Sequence, residues 1–273
     1  MSENHLFDSD PSGSDLLRAE RYLTEEETCP PVSREAEIHA IRDAVRPLTS
    51  RNTPETLLIY GPPGSGKTAC VNHVCDALDR ETSVKSIRIN CWQYSTRPAL
   101  LTQLLIQLGY PAPRKGKPVD ELLSKLREWL EKNRCIALVL DEFDQLQEKT
   151  EVAYDLHMLG QQTQNKLGLI MISNVPPDDL LLDSRSWSRL SYRELEFDPY
   201  TREQLEEILS AVVEQAFQPG SVDSDVIETI SETVAENSGD CRQAFNRLLQ
   251  AGQRAMLRGG HTVKNRDLAP PDR

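Results

Sequence analysis

Three stretches of this 273-residue chain carry side chains whose types and spacing suit phosphate chemistry. The first is Gly61-Pro62-Pro63-Gly64-Ser65-Gly66-Lys67-Thr68. Its glycines let successive backbone N–H groups turn inward around phosphates, and a helix starting at its end adds its positive pole. Lys67 is then placed for the β and γ phosphates and Thr68 for Mg²⁺. The ligands implied are ATP or ADP with Mg²⁺. The second stretch is the apolar run from Ile136 to Leu140 ending in Asp141-Glu142. A buried strand tipped by two acids sets Asp141 beside the metal and Glu142 where it polarises an attacking water. The third is Gly239-Asp240-Cys241-Arg242, where Asp240 is a natural N-cap. Arg242 in the first helical turn opposes the helix dipole, a placement that suits either an anion nearby or a solvated arginine.

Two further positions stay open on the residues alone. Asn174, at the tip of an apolar strand, either orients water for Glu142 or forms a turn before Pro176. Arg185 and Arg189, between two strand-like runs, either reach a neighbouring molecule's nucleotide as arginine fingers or pair with Glu194 and Glu196.

These groups need a scaffold, and the apolar pattern supplies one. Ile38, Ile41, Val45 and Leu48 mark a helix. The short runs Leu57–Tyr60, Val84–Asn90, Ile136–Leu140, Leu167–Ser173 and Leu195–Phe197 read as strands. Leu57–Tyr60 is short and continuous, as a strand covered on both faces should be. Helices are predicted over Thr68–Leu78, Pro98–Leu108 and the Leu122, Leu123, Leu126, Leu130 stripe. Beyond Pro199 only helical spacing remains, opening on Thr201 and Gln204 as a capping box and continuing through Ile227, Ile230, Phe245, Leu248 and Leu249. The expected layout is a disordered arm over 1–14, an α/β nucleotide-binding domain over 15–197, a small all-helical domain over 198–268 and a tail over 269–273.

A net charge of -12 argues against a surface that is basic all over, so nucleic-acid contact would need a local basic patch. None of the six cysteines forms a C-x-x-C pair, which speaks against a zinc site. The N-terminus has no apolar stretch long enough for a signal peptide or membrane span. The expectation is a cytoplasmic protein without membrane contact.

Taken together, these motifs resemble the AAA+ P-loop NTPases, and within them the origin-recognition and cell-division-control replication initiators of archaea and eukaryotes. The likeness runs from about Tyr22 to Leu268. It includes Pro31-Val32-Ser33-Arg34-Glu35-Ala36-Glu37, Ile89-Asn90-Cys91, Asp198-Pro199-Tyr200-Thr201 and Gly239-Asp240-Cys241-Arg242. The resemblance implies a five-stranded parallel sheet flanked by helices, followed by a helical lid. It implies sensor-1 duty for Asn174, sensor-2 duty for Arg242 and a trans finger at Arg189, with Arg185 second. It also implies adenine-side contacts from Val32, Arg34 and Tyr200. The segment from Pro98 to Lys117 looks like an insertion used by initiators to touch duplex DNA, here through Arg97, Arg114, Lys115 and Lys117. Members usually carry a winged-helix domain after the lid, whereas this sequence stops at Arg273, an expected departure. The function implied is an ATP-binding, slowly hydrolysing protein of replication initiation or its regulation, self-associating or joined to other AAA+ initiators. The alternatives are a partner-binding regulatory module without DNA contact, or a clamp-loader-like or transposon-associated ATPase.

Overall fold

The computed structural model describes residues 16–24, 30–111, 116–180, 182 and 190–269. The arm expected over 1–14 and most of the tail lie outside these. The chain divides into two compact units, one of Arg34–Asp198 and one joining residues up to Ser33 with Pro199 onwards.

The first unit is the α/β part. Its sheet holds β1 (Thr56–Tyr60), β2 (Lys85–Asn90), β3 (Ile136–Asp141), β4 (Leu167–Ser173) and β5 (Tyr192–Glu196) in the order β2-β3-β4-β1-β5. All pairings are parallel. Helices α1 (Glu35–Val45), α2 (Lys67–Glu81), α3 (Arg97–Gln107), α4 (Val119–Lys132) and α5 (Lys149–Gln162) cover its two faces. Neighbouring residues on a strand point to opposite faces, so the continuous apolar runs feed two cores. Leu58, Leu138, Leu140 and Met171 pack with α3, α4 and α5. Leu57, Ile59, Val139 and Ile170 pack with α1 and α2.

The edge strand β2 is shielded by side chains. The Ser86 N–H donates to Asp79 at 2.7 Å, and the Gln107 amide donates to the Arg88 carbonyl at 3.0 Å. An edge capped in this way offers less template for another strand.

The elements of this unit differ from expectation in places. The fifth strand is Tyr192–Glu196 rather than Leu195–Phe197; Arg193, Glu194 and Glu196 are exposed on this edge strand, so it carries no apolar run to mark its start. Helix α1 starts at Glu35, three residues before Ile38, because Glu35 and Glu37 favour a helix N-terminus without joining the apolar stripe. Helix α5 had no counterpart in the sequence reading, although Val152, Leu156 and Leu159 are buried at helical spacing.

The second unit is all-helical: α6 (Arg202–Ala216), α7 (Ser224–Asn237) and α8 (Cys241–Leu257). The capping box forms, with the Gln204 N–H on the Thr201 hydroxyl at 3.3 Å and the Thr201 N–H on the Gln204 side chain at 3.0 Å. Gly239, at φ +61, brings the turn before α8 against Tyr200, whose N–H donates to its carbonyl at 3.1 Å. A Cβ there would lie 2.7 Å from Pro199 Cβ. The described residues of 16–33 belong to this unit, not to the α/β domain as the expected 15–197 boundary had it. Leu17 bridges Phe217, the Arg18 N–H donates to the Ala216 carbonyl at 2.8 Å, and Leu16 and Leu23 are buried in the helical core. No helix among the described residues is long and apolar enough to cross a membrane.

Candidate nucleotide-binding site

Parallel strands end on one side of a sheet, and β4 lies between β1 and β3. Tyr60 is level with Ser173, and Leu140 with Met171. The glycine loop after β1, the acids ending β3 and Asn174 after β4 therefore emerge at one edge. This is the carboxyl end of the strands, where open α/β sheets take ligands.

The loop has the backbone its glycines allow. Gly61, Gly64 and Gly66 have φ of +147, +71 and +93, and Gly66 is the N-cap of α2. The Ser65 hydroxyl donates to the Pro62 carbonyl at 2.8 Å. Lys67 is 5 % exposed, and its ammonium donates to the carbonyls of Gly61 and Pro62, each at 2.7 Å. The loop's one fixed cation is thus held against the loop backbone.

Thr68 and Asp141 come together across 73 positions of sequence: the hydroxyl donates to the carboxylate at 3.1 Å. The Glu142 N–H donates to the same carboxylate at 2.9 Å. Burial raises the Asp141 pKa, and the bonds from Glu142 and Thr68 work against that rise. Glu142 itself has φ +54, an unusual left-handed conformation for a branched-free but bulky residue. Asn174 is exposed, and its N–H donates to Asp144 at 3.1 Å; Asp144 is a supporting residue that the sequence reading missed. A cleft of about 360 Å³ adjoins Thr68 and Asp141, with Asn72, Asn90, Gln93 and Gln107 among its lining residues.

The donor set fits Mg²⁺. No group of three or more His, Cys, Asp or Glu among the described residues can hold a metal alone. One hydroxyl and one carboxylate side by side suit a small hard ion that takes its other oxygens from phosphate and water. Burial pushes the Cys70 and Cys91 thiols up to about 12 and Cys75 to about 11.

The other expected residues have the following local surroundings. Val32 and Tyr200 pack in the helical core, and Arg242 lies in the first turn of α8 with its N–H on Asp240 at 2.9 Å. Arg34 is 4 % exposed and donates to Glu37 at 2.7 Å and to the Asp198 carbonyl. Arg97, expected as a DNA contact, pairs with Asp155 at 2.5 Å, with both side chains mostly covered. Its partner lies on α5, the helix that the sequence reading lacked. Lys117 pairs with Glu121 one turn on. Arg114, Lys115, Arg185 and Arg189 lie outside the described residues.

Comparison with known proteins places this geometry. Residues 50–175 match the AAA domain model, and residues 206–269 match the Cdc6 AAA+ ATPase-type lid domain. The chain is 33 % identical over 243 residues to the ORC1-type DNA replication protein of Pyrococcus abyssi, covering 84 % of this chain and 58 % of that protein. It is 29 % identical to ORC1-type DNA replication protein 3 of Haloarcula marismortui, over 86 % of this chain and 65 % of that one. The chain belongs to the ORC1/Cdc6 family of AAA+ proteins. Among solved structures, Aeropyrum pernix ORC1, determined in complex with DNA, superposes at TM-score 0.82 with 29 % identity, over 92 % of this chain and 68 % of that one. The chain spans about three fifths of the length of the ORC1-type relatives it matches. Family membership makes the five-stranded sheet an AAA+ core and α6–α8 a Cdc6-type lid. AAA+ family members are ATPases that bind ATP or ADP, typically with Mg²⁺.

Proposed function

We propose that this chain binds ATP and ADP with Mg²⁺ at the 61–68 loop and hydrolyses ATP slowly, as an initiator-like protein of DNA replication or its regulation. The Thr68 hydroxyl resting on the Asp141 carboxylate at 3.1 Å carries this reading, since it brings the metal ligands of two separate motifs to one point. In the proposed mechanism, backbone N–H groups of residues 61–66 and the α2 N-terminus cradle the phosphates, and Lys67 turns from its two carbonyls to the β and γ oxygens. Thr68 and Asp141 hold the Mg²⁺, which supplies charge neutralisation when bound. Glu142 accepts a proton from the attacking water, and Asn174 orients that water. By family resemblance, Arg242 acts as the lid's γ-phosphate sensor and Arg189 of a second AAA+ molecule as the finger, with Arg185 the alternative. Val32 and Tyr200 border the adenine.

Glu142→Gln keeps shape and hydrogen bonding but cannot take the proton. It is expected to bind ATP as wild type does, with hydrolysis lowered by roughly 10²-fold or more. A variant that turns over ATP at the wild-type rate would show that another group activates the water.

A second reading, a regulatory module that binds a partner protein but not DNA, draws support from Arg97 and Lys117, both paired with carboxylates. Filter binding to duplex DNA across a salt series separates the two. Contact through Arg114, Lys115 and one further cation predicts a log–log salt slope near -2.7, about 0.9 per phosphate. Absence of binding at low salt favours the protein-only module.

A further inference from the structure

Arg34 has a different surrounding from that of a residue facing a base. Its guanidinium lies 5.2 Å from the centre of the Phe197 ring and donates to Glu37 and to the Asp198 carbonyl. Phe197 is fully buried, and its N–H donates to the Tyr60 carbonyl at 2.8 Å. The residue just past β5 is therefore tied to the last residue of β1. The next residue after Tyr60 is Gly61, the entry of the phosphate loop. A Cβ on Gly61 would come within 2.2 Å of the Phe197 carbonyl oxygen, so the loop entry rests on the Phe197 backbone with no side chain between them. The Gly61 carbonyl in turn accepts from Lys67 at 2.7 Å.

We infer that Arg34 is a positioning residue of the phosphate loop, acting through Phe197 on Gly61 and Lys67, and not a contact to the nucleotide base. The inference rests on the reading of residues 61–68 as the nucleotide site. The residue type fits the task. A guanidinium is planar and permanently charged, so it stacks on a ring and donates along two directions at once. An ammonium is a point charge that keeps one of these contacts. The wedge is directional: a shift of Phe197 moves the one atom that Gly61 cannot avoid, and the Gly61 carbonyl carries that shift to the Lys67 ammonium. Phosphate affinity should follow Arg34 whatever base the ligand bears, or with no base at all.

The test uses the full chain with Arg34→Lys. Dissociation constants for ATP, GTP and inorganic tripolyphosphate, each with Mg²⁺, are measured below the melting temperature of both proteins. All three ligands are expected to weaken by a similar factor, about 10-fold, the size of losing one or two charge-assisted hydrogen bonds at a distance from the ligand. Weakening of ATP with tripolyphosphate unchanged would make Arg34 a base contact and overturn the inference. So would unchanged affinity for all three. Wild-type protein that binds none of them would instead remove the site reading itself. Phe197→Leu, which stays apolar but takes away the ring face, gives the same information should Arg34→Lys not fold. In the double variant the two losses should be no larger than the greater single one; full additivity would show that Arg34 does not act through Phe197.

Discussion

The loop end of the sheet and the α3 segment both present cations in suggestive places, yet they turn out differently. At the sheet end, Lys67 is 5 % exposed and held by backbone carbonyls of its own loop. On α3, Arg97 is bound to a carboxylate on another helix. A cation held by neutral carbonyls can be transferred to a phosphate without leaving a bare charge behind. A cation paired with a covered carboxylate cannot leave without stranding that carboxylate, which costs several kcal/mol in a low-dielectric setting. The difference teaches which basic residues are available for an anion and which serve the fold.

The largest effect that tests this contrast is at Lys67. Lys67→Ala removes the loop's fixed charge, and ATP affinity by calorimetry is expected to fall about 10²-fold or more, the size of one or two charge-assisted bonds in a covered site. Melting should change less than in Arg97→Ala, because the hydrogen bonds lost from Lys67 run to the neutral carbonyls of Gly61 and Pro62. If ATP affinity holds, the site lies elsewhere. The smaller effect is at Arg97. Arg97→Ala strands Asp155, whose pKa burial already raises and whose bonds to Arg97 pull it back down. Urea unfolding should show a loss of about 2 kcal/mol, below the range for fully buried pairs because this one is partly solvated. Arg97→Met combined with Asp155→Leu should recover much of it. A variant of undiminished stability that loses DNA affinity would return Arg97 to the DNA-contact reading.

The same contrast explains what the sequence made legible. The phosphate loop, the paired acids and the capping box are local patterns, each defined by residues a few positions apart, so spacing alone picks them out. Strands β1, β3 and β4 were readable because burial on both faces demands unbroken apolar runs, whereas the edge strands β2 and β5 are partly exposed, and β5 slipped. Helix α5 was hidden by Gly160 and by Tyr154 and His157 among its apolar positions, which dilute the helical signal. The environment of Arg34 was beyond reach of spacing, since Asp198 is 164 positions away. So was that of Arg97, whose partner is 58 positions away. Residues 16–23 joined the lid core for the same reason: Phe217 has no sequence neighbour that announces Leu17.

In the proposed site, Thr68 and Asp141 form a metal centre which a nucleotide completes. Thr68→Val keeps the side-chain shape and removes only the hydroxyl. Calorimetric titration with ATP, once with Mg²⁺ and once with EDTA, reads the claim directly. The account predicts nearly equal affinity for wild type and variant in EDTA, and a Mg²⁺-dependent gain in affinity that is about 10-fold smaller in the variant, within the range seen when a metal's supporting oxygen is lost. An unchanged Mg²⁺ gain in the variant would contradict the account, for the Thr68 hydroxyl would then not be a ligand of the ion.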